Sequence, residues 1–393
     1  MFSIEKKLNK KNILPNYSSK ANEHQYADDL SQITRADADD FIKVGTDTDK
    51  KSLRSGTFIQ KDNSILHCSQ PRSGVDIKGI ADSLKKFPWL DKYMWKLIDK
   101  DKDEITKHAL TKPLRGFFIR SQKDAKIEKP IQTCLYIAKN EFSQNVHNIV
   151  ILEENSEIHI IAGCTTSQHI KSGSHIGLSE FFIKKGATLR YTMIHDWGED
   201  VYVRPKTVIH IEEGGVLISN YVCLKPVKSL VTNPITILEK NATATLNSIL
   251  VAGKNSYMDV GSIVEFNGKG ARAEIVSRAI VAGGTIISRG HLKGNVPGVK
   301  GHLECKGLIL KKGLLHAIPE ISGYTPEIEI SHEAAVGKID KREIEYLMAR
   351  GLNEDDAIST IVRGFLNVNI DGLPPKLIKE MDQAVQETGK NIM

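Results

Sequence analysis

A short turn that recurs at nearly constant spacing is the feature of this sequence that most restricts its fold. Each turn has two charged residues followed by two small or polar ones. Four clear copies and a looser fifth are present: Glu153-Glu154-Asn155-Ser156, Lys184-Lys185-Gly186-Ala187, Glu212-Glu213-Gly214-Gly215, Glu239-Lys240-Asn241-Ala242 and Asn267-Gly268-Lys269-Gly270-Ala271. Counted from Glu154 through Lys185, Glu213, Lys240 and Lys269, the steps are 31, 28, 27 and 29 residues. A period of this length is typical of a solenoid in which each coil is one repeat.

Apolar residues alternate with polar ones on both sides of these turns, as in 148–152 and 157–161. One such repeat cannot bury its own apolar face, so each coil must bury it with the next. Aromatic residues are only 6% of the chain against 40% hydrophobic residues, which indicates a core of aliphatic side chains. We therefore predict a mainly β chain with a parallel β-solenoid core. The alternative is an antiparallel sandwich whose hairpins turn at the same places.

The N-terminal region differs from this core in composition. Residues 1–55 are polar, and only the stretch from His24 to Gly45 has a helical period. Residues 56–66 predict a hairpin that turns at Lys61-Asp62-Asn63, and residues 77–99 predict two helices interrupted at Pro88. The aromatic residues around Pro88 predict an apolar contact that fastens this region to the core.

The period becomes helical again after Ile339. Asp340 and Glu343 form a capping pattern, and Gly351 predicts the end of that helix. A second helix is predicted from Asn353, with an apolar side made of Ala357, Ile358, Ile361, Val362 and Phe365. Residues 377–386 predict a last helix. The predicted organisation is an N-terminal polar and helical region (1–115), a β-solenoid core (116–338) and a C-terminal helical domain (339–393).

Charge, cysteine usage and hydropathy exclude several classes of function. The net charge of +6 is spread over 54 basic and 48 acidic residues without a basic block, so we expect no nucleic-acid partner. Five widely spaced cysteines without a Cys-x-x-Cys pair suggest neither a disulfide framework nor a zinc knuckle. The chain has no signal-peptide pattern and no apolar run of about 18 residues, so we expect a cytoplasmic protein without a membrane span. No phosphate-binding glycine motif is present, so we expect no ATP hydrolysis by the chain itself.

Cys305 and the pair His332-Glu333 could supply sulfur, nitrogen and oxygen ligands to a metal. Thiolates are preferred by iron and copper, while imidazole and carboxylate also suit iron. Taken alone, a single cysteine is more often a buried apolar side chain, and a His-Glu pair is often a surface ion pair.

The residue order from Ser331 to Phe365, SHEA...GKI...YL..RG....A....V.GF, resembles the C-terminal signature of the SufB/SufD family of iron–sulfur cluster assembly proteins. The resemblance is closer to SufB, because SufD-like members lack the cysteine and the acid. It implies a right-handed parallel β-helix core. It also implies that Cys305, His332 and Glu333 hold a nascent cluster, with a [4Fe–4S] cluster expected. By the same resemblance, the C-terminal helices dock a SufC-like ABC ATPase through Ile358, Ile361, Val362 and Phe365.

Two further elements resemble this family. Gly163-Cys164-Thr165-Thr166 is similar to the EGCTA-type element of SufB, whose cysteine is thought to accept persulfide sulfur, so Cys164 is the expected sulfur-transfer residue. Tyr191 to Trp197 is similar to the STVQNW element, with His195 where a glutamine is usual. The resemblance implies that sulfur travels through the solenoid toward the terminal cysteine, and His195 changes the polar lining of that path.

The expected function is therefore that of a non-enzymatic scaffold in a SUF-type assembly complex that passes clusters to apo recipient proteins. The resemblance implies a homodimer, as in archaeal-type two-component systems, or a heterodimer with a SufD-like paralogue. One alternative is a SufD-like structural subunit without a cluster. A β-helix enzyme acting on polysaccharide is a second alternative, disfavoured by the low aromatic content and the lack of a clustered pair of aspartates.

Overall fold

The computed structural model describes residues 14–50, 53–70 and 74–366, together with Lys379 and Gln383. Its first eleven strands are β1 Gly56–Lys61, β2 Ser64–Ser69, β3 Val75–Gly79, β4 Phe117–Ser121, β5 Ile131–Ile137, β6 Phe142–Leu152, β7 Glu157–Thr166, β8 Ser172–Ile183, β9 Thr188–Asp196, β10 Asp200–Val203 and β11 Lys206–Ile211. The next eleven are β12 Val216–Cys223, β13 Ser229–Thr232, β14 Ile235–Leu238, β15 Thr243–Ala252, β16 Tyr257–Val260, β17 Ile263–Phe266, β18 Arg272–Val281, β19 Thr285–Gly294, β20 Val299–Ile309, β21 Leu314–Gly323 and β22 Ile328–Gly337. The described α-helices are α1 Arg35–Ile42, α2 Ile80–Lys86, α3 Glu104–Leu110, α4 Lys341–Ala349 and α5 Glu354–Leu366, and two 3₁₀ helices span Leu30–Gln32 and Pro88–Tyr93.

The strands form two long sheets that wind together as a solenoid of about eight turns. The first sheet has the order β2-β1-β5-β7-β9-β12-β15-β18-β20-β22, and the second has the order β10-β13-β16-β19-β17-β14-β11-β8-β6-β4-β3, with β21 added beside β19. Consecutive coils pair in parallel, as β12 does with β9 and β15. The predicted β-solenoid is therefore confirmed and the antiparallel sandwich is wrong. The hand of the coil stays a prediction.

A column of residues in the left-handed region marks the repeating turn. Its members are Asp124, Asn155, Gly186, Gly214, Asn241, Gly270, Gly298 and Glu327, with φ between 56° and 79°. The backbone N–H of Asn155 donates to the carbonyl of Lys185 on the next coil, and that of Gly186 donates to Glu213. Glycine and asparagine tolerate this conformation best, which explains their recurrence at the third turn position. All five predicted turns are confirmed, and three more at Asp124, Gly298 and Glu327 belong to the same column.

Aliphatic side chains fill the space between the two sheets. Leu189, Leu217, Ala244, Ala273 and the residues that follow them at alternate positions form one continuous interior cluster. Because successive strand residues face opposite sides, the intervening residues form separate clusters on the outer faces of the sheets. The chain thus has one interior and two outer surfaces on which helices pack.

The N-terminal region adds strands as well as helices. The hairpin of β1 and β2 forms as predicted, with the left-handed Asp62 in its turn, and β1 continues the first sheet beside β5. Ile77 to Gly79 form the end of β3 rather than a helix, so that part of the helical prediction is wrong. Ile77 alternates with Val75 as a buried residue, and β3 pairs with β4 at the edge of the second sheet.

The aromatic residues near Pro88 fasten the N-terminal region as predicted. The helix α2 ends at Lys86, and the segment after Pro88 is a 3₁₀ helix rather than an α-helix. The rings of Phe87 and Trp89 lie 5.9 and 6.2 Å from that of Phe118 on the outer face of the second sheet. This contact fixes the N-terminal helices on that face.

Helices from both ends of the chain cover the outer face of the first sheet. Phe41 and Val44, at and just after the end of α1, pack into the same cluster as Ile358 and Val362 of α5. The helical pair α4 and α5 confirms the prediction, and Gly351 between the two helices has φ of 99°. The predicted helix 377–386 lies outside the described residues, apart from Lys379 and Gln383. Among the residues that the structure places, no helix is both long and apolar enough to cross a membrane.

Candidate functional site

Two cysteines and a histidine stand in one row on the interior face of the first sheet. Cys164, His195 and Cys223 are in register on β7, β9 and β12, and all three are buried. The sequence analysis did not single out Cys223. Its place follows from the repeat, because the steps of 31 and 28 residues that separate the turns also lead from Cys164 to His195 and on to Cys223.

The neighbouring interior row leads to Cys305. It contains Met193, Tyr221, Ser248, Ser277 and Cys305 on successive coils. The Cys164 sulfur lies 3.9 Å from the Met193 sulfur at one end of this row. At the other end, the Ser288 hydroxyl lies 2.9 Å from that of Ser277 and 3.9 Å from the Cys305 sulfur. The two cysteines predicted from the sequence thus lie at opposite ends of two adjoining interior rows.

A cavity of about 100 Å³ lies beside the middle of these rows. Met193, His195, Tyr221 and Ser248 line it from the first sheet, and Thr207, Thr232 and Thr236 line it from the opposite side. The Tyr221 hydroxyl lies 2.8 Å from Nδ1 of His195. The walls of this cavity are mostly apolar, and the hydroxyl groups and the imidazole add a few polar groups to them.

Burial controls the charge of these side chains. It lowers the pKa of His175 and of His195 to about 3, and the neighbouring His175 adds to the effect on His195. Burial also raises the pKa of the Cys164 thiol well above its usual range and that of Cys223 to about 12. Near neutral pH the interior therefore holds neutral imidazoles and protonated thiols.

Gly163 and Cys164 are adjacent residues of β7 that face opposite sides of the first sheet. Cys164 faces the interior, whereas Gly163 faces outward beneath the end of α1. A Cβ atom at Gly163 would lie 2.4 to 2.6 Å from atoms of Val44, including its carbonyl oxygen. Glycine at this position thus lets the N-terminal helix sit directly on the sheet while the adjacent cysteine stays inside.

Cys305 lies one coil from the open end of the solenoid. It is 2% exposed, because β22 continues the sheet over it and Ala334 is its partner on that last strand. Its pKa is raised by burial and lowered to a smaller extent by Ser288. His332 lies on β22, two residues before Ala334, and pairs with Leu303. Since side chains alternate along a strand, His332 is on the same interior side as Cys305.

Glu333 stands on the opposite side of this strand. It pairs with Glu304, whose parity faces outward, and its carboxylate lies 3.7 Å from Lys306. Within the described ranges no three side chains of His, Cys, Asp or Glu gather into a possible metal site. The structure therefore brings Cys305 and His332 to one face and places Glu333 on the other.

A chain of ionic contacts leads from Glu333 to the last described helix. Lys306 also contacts Glu304 at 2.9 Å, and Glu304 lies 3.4 Å from Arg278. Arg278 donates to the carbonyl of Phe365 at 3.3 Å, and its guanidinium lies 5.9 Å from the centre of the Phe365 ring. The end of α5 is thereby tied to the outer face of the last coils.

The four apolar residues predicted for ATPase docking divide between two environments. Ile358 and Val362 are 9% and 0% exposed, since they pack on the chain's own first sheet. Ile361 and Phe365 are partly buried. The exposed apolar side chains of the helical pair are Tyr346 and Met348 of α4, at 57% and 43%. Ile358 and Val362 therefore hold α5 in place, and any partner has to contact the other side chains.

The open end of the solenoid also exposes apolar residues: Leu314, Ile321, Tyr324 and Val336 are each at least 38% exposed. They lie on or beside β21 and β22, which pair with other described strands along one edge only. Unpaired edges with apolar side chains are typical of surfaces that associate with another chain.

Comparison with known proteins identifies relatives along most of the chain. A family model described as the SUF system FeS cluster assembly, SufBD core domain, matches residues 135–365. An iron–sulfur cluster assembly SufBD family protein of Archaeoglobus fulgidus is 48% identical over 352 residues, which cover 89% of this chain and 95% of the relative. One from Methanothermobacter thermautotrophicus is 43% identical over 367 residues, covering 92% and 89%. The iron–sulfur cluster assembly protein SufB of Bacillus subtilis is 26% identical over 358 residues, covering 88% and 76%.

The depressed pKa of His195 predicts a pH dependence of stability. Since the folded pKa of about 3 lies below the unfolded value near 6.5, the unfolded state binds the proton first as the pH falls. The stabilisation is fully present above pH 6.5 and is lost as the pH falls toward 3. Between pH 7.5 and 5, wild type should lose up to about 2 kcal/mol more than His195→Gln, because the variant lacks this one group while the other titrating groups stay the same. Urea unfolding at several pH values measures this, and parallel profiles for the two proteins would contradict it.

Proposed function

The chain belongs to the SufBD family of iron–sulfur cluster assembly proteins, and we propose that it is the scaffold on which a cluster is built and from which it is passed to recipient proteins. The observation that carries the proposal is the pair of interior rows that lead from Cys164 to Cys305. The cluster, expected as [4Fe–4S], is cargo in this function. A reaction that adds sulfur at one position and binds iron at another needs such a protected connection.

Cys164 is proposed to accept the sulfur. In persulfide transfer, a thiolate attacks the outer sulfur of a donor persulfide and releases the donor cysteine as a thiolate. Burial keeps Cys164 protonated, so a base must take its proton first. His195 lies next to Cys164 in the same row, but its imidazole is too weak a base for this step while it stays buried, so the docked sulfur donor has to supply the base.

Beyond Cys164 the sulfur has to be relayed. From the row position of Met193 to Cys305 there are four strand spacings of about 4.8 Å, or roughly 19 Å. Two thiols cannot exchange directly over that distance. Cys223 and the cavity beside Tyr221 and Ser248 are the proposed intermediate positions.

This route predicts that Cys164→Ser blocks cluster formation when a cysteine desulfurase supplies the sulfur. Assembly from free iron and sulfide should remain near the wild-type level, because Cys305 is unchanged. Absorbance of the iron–sulfur chromophore under anaerobic conditions measures both reactions. Cys134→Ser is the matched control, since Cys134 is equally buried but faces outward beside Gly163. Equal behaviour of Cys164→Ser and wild type in both assays would show that Cys164 is only a packing residue.

The cluster is proposed to bind at the open end of the solenoid through Cys305, with His332 and Glu333 as weaker ligands. A thiolate holds iron firmly, whereas imidazole or carboxylate can be displaced by a cysteine of the recipient. Because Glu333 faces away from Cys305 within one chain, a complete site requires a second protomer or a rearrangement of the last coil. The exposed apolar end formed by β21 and β22 supports pairing with a second copy, as expected for a homodimer, or with a SufD-like paralogue.

Cys305→Ala is expected to lose nearly all bound iron, and His332→Ala or Glu333→Ala should leave a labile cluster. The measurements are iron per chain and the sulfur-to-iron charge-transfer absorption after anaerobic purification. His302→Ala and Glu329→Ala are matched controls, because both residues lie on the outward parity of the same last strands. Wild-type iron content in Cys305→Ala would contradict the assignment.

A SufD-like structural subunit remains the second candidate. The burial of Cys305 and the lack of a three-ligand group within the described residues favour it. The same iron measurement on the wild-type protein distinguishes the scaffold from the structural subunit, since a structural subunit would bind no cluster.

A SufC-like ABC ATPase is proposed to dock on the helical pair α4 and α5. Tyr346 and Met348 offer exposed apolar contacts, and Ile361 and Phe365 add the partly exposed side of α5. ATP hydrolysis would occur in that partner. Movement of α5 would reach Glu333 through Phe365, Arg278, Glu304 and Lys306, which couples the two sites by differential contacts.

Replacing Tyr346 or Ile361 by glutamate should abolish co-purification with the co-expressed ATPase. A charge there cannot be desolvated at low cost, whereas Ile358 and Val362 still hold α5 on the sheet. Far-ultraviolet circular dichroism should keep its β-type spectrum. Leu110→Glu, at an exposed apolar position of α3, is the control and should retain the ATPase. Retention by both variants would place the docking surface elsewhere.

A further inference from the structure

A cleft on the outer face of the second sheet plays no part in the proposed function. It lies between β6, β8 and the segment that runs from the 3₁₀ helix after Pro88 to Arg115, and its volume is about 270 Å³. Its walls are largely apolar, with Leu84, Met94, Trp95, Leu110 and Leu178 among them. The interior rows lie on the inner face of the first sheet, whereas the cleft lies on the outer face of the second sheet, so this cleft is a separate site.

Three polar atoms in the lining of this cleft are buried and have no hydrogen-bond partner among the described residues. They are Nε of Arg115, Oδ1 of Asn145 and Nδ1 of His147. Asn145 and His147 are only 7% and 4% exposed. A buried polar atom without a partner costs roughly 1–3 kcal/mol, so three in one cleft require an explanation.

The other polar side-chain atoms of Asn145 and His147 are already engaged, which fixes the orientation of these two side chains. Nδ2 of Asn145 donates to the carbonyl of Ser143, so the amide oxygen is the free atom. Nε2 of His147 lies 2.8 Å from the carboxylate of Glu180 and donates to it. Nδ1 is therefore the free ring nitrogen of His147, and this nitrogen, the amide oxygen of Asn145 and Nε of Arg115 all belong to residues that line the cleft.

The wall that faces these atoms is held in a strained conformation. Trp95 has φ of 56°, a region that costs an L residue about 1–2 kcal/mol. The buried carboxylate of Glu180 fixes this turn by accepting from the backbone N–H groups of Trp95, Leu97 and Ile98. The Trp95 ring meets His147 edge to face at 4.7 Å. Strain of this kind is common where a binding wall is preorganised.

We propose that this cleft binds a free α-amino acid with a large apolar side chain. The ammonium group can donate to Asn145 and His147, and the carboxylate can accept from Arg115 beside Lys112, which also lines the cleft. The apolar walls receive the side chain. Asp91 also lines the cleft and can pair with the ammonium group. A phosphate would leave the Asn145 oxygen unpaired and would face this carboxylate, so the zwitterion fits the set best.

Saturation-transfer difference NMR and calorimetry with L-leucine, L-methionine, L-phenylalanine and L-tryptophan test the proposal on the full chain. At least one should bind saturably. The N-acetyl derivative and the carboxamide of that amino acid should each bind about tenfold more weakly, because each loses one charged hydrogen-bonding group. L-Alanine should bind more weakly as well, because it leaves the apolar walls uncovered.

Arg115→Met should weaken binding of the amino acid about tenfold while leaving the affinity of its carboxamide unchanged, which assigns the carboxylate to Arg115. Lys96→Met removes an exposed cation that does not line the cleft and should leave both affinities unchanged. Circular dichroism verifies that each variant is folded. The absence of saturable binding for all four amino acids would overturn the proposal, as would equal binding of the zwitterion to wild type and Arg115→Met.

Discussion

The in-register stacking of coils is the constraint on which the rest of this structure depends. At seven of the eight described turns a residue in the left-handed region donates its backbone N–H to the next coil, so successive coils cannot slip against one another. A slip of one residue would move every side chain to the other face of its sheet. Because the register is fixed, residues separated by one repeat stand above one another, and a row of chosen side chains can run through several coils.

The fixed register gives the two faces of each strand different tasks. Interior positions combine aliphatic packing with the buried series from Cys164 to Cys305, where exclusion of water keeps thiols protonated and imidazoles neutral. Residues at outer positions pack against the N-terminal and C-terminal helices. Gly163 and Cys164 show both tasks in adjacent residues, since one admits the N-terminal helix and the other faces the interior.

The last coil is where these faces come together. Its edges lack a further coil, which leaves His332 exposed above the interior and Glu333 exposed outside. The outer contacts from Glu333 to Phe365 give the C-terminal helices a physical connection to this end. The proposed site, completed by a second chain and controlled through α5, needs an open-ended solenoid, since a closed barrel would have no such end.

The sequence by itself determined the repeat, the turn positions and the elements around Cys164, Cys305 and His332, because these depend on local periodicity and on a continuous residue order. Even the row position of Cys223 was contained in the repeat spacing. Tertiary structure decided the features that depend on contacts between distant segments. Ile77 joined a strand because β4 offered it a partner, and Ile358 and Val362 were buried because the first sheet left an apolar outer face for α5. Glu333 and Cys305 are on opposite sides of the sheet because side chains alternate along β22. The pairing of β22 with β20, which sets that alternation, depends on the stacking of the coils. Arg115, Asn145 and His147 share a cleft because a helical segment folds over β6, a packing arrangement that no local pattern encodes.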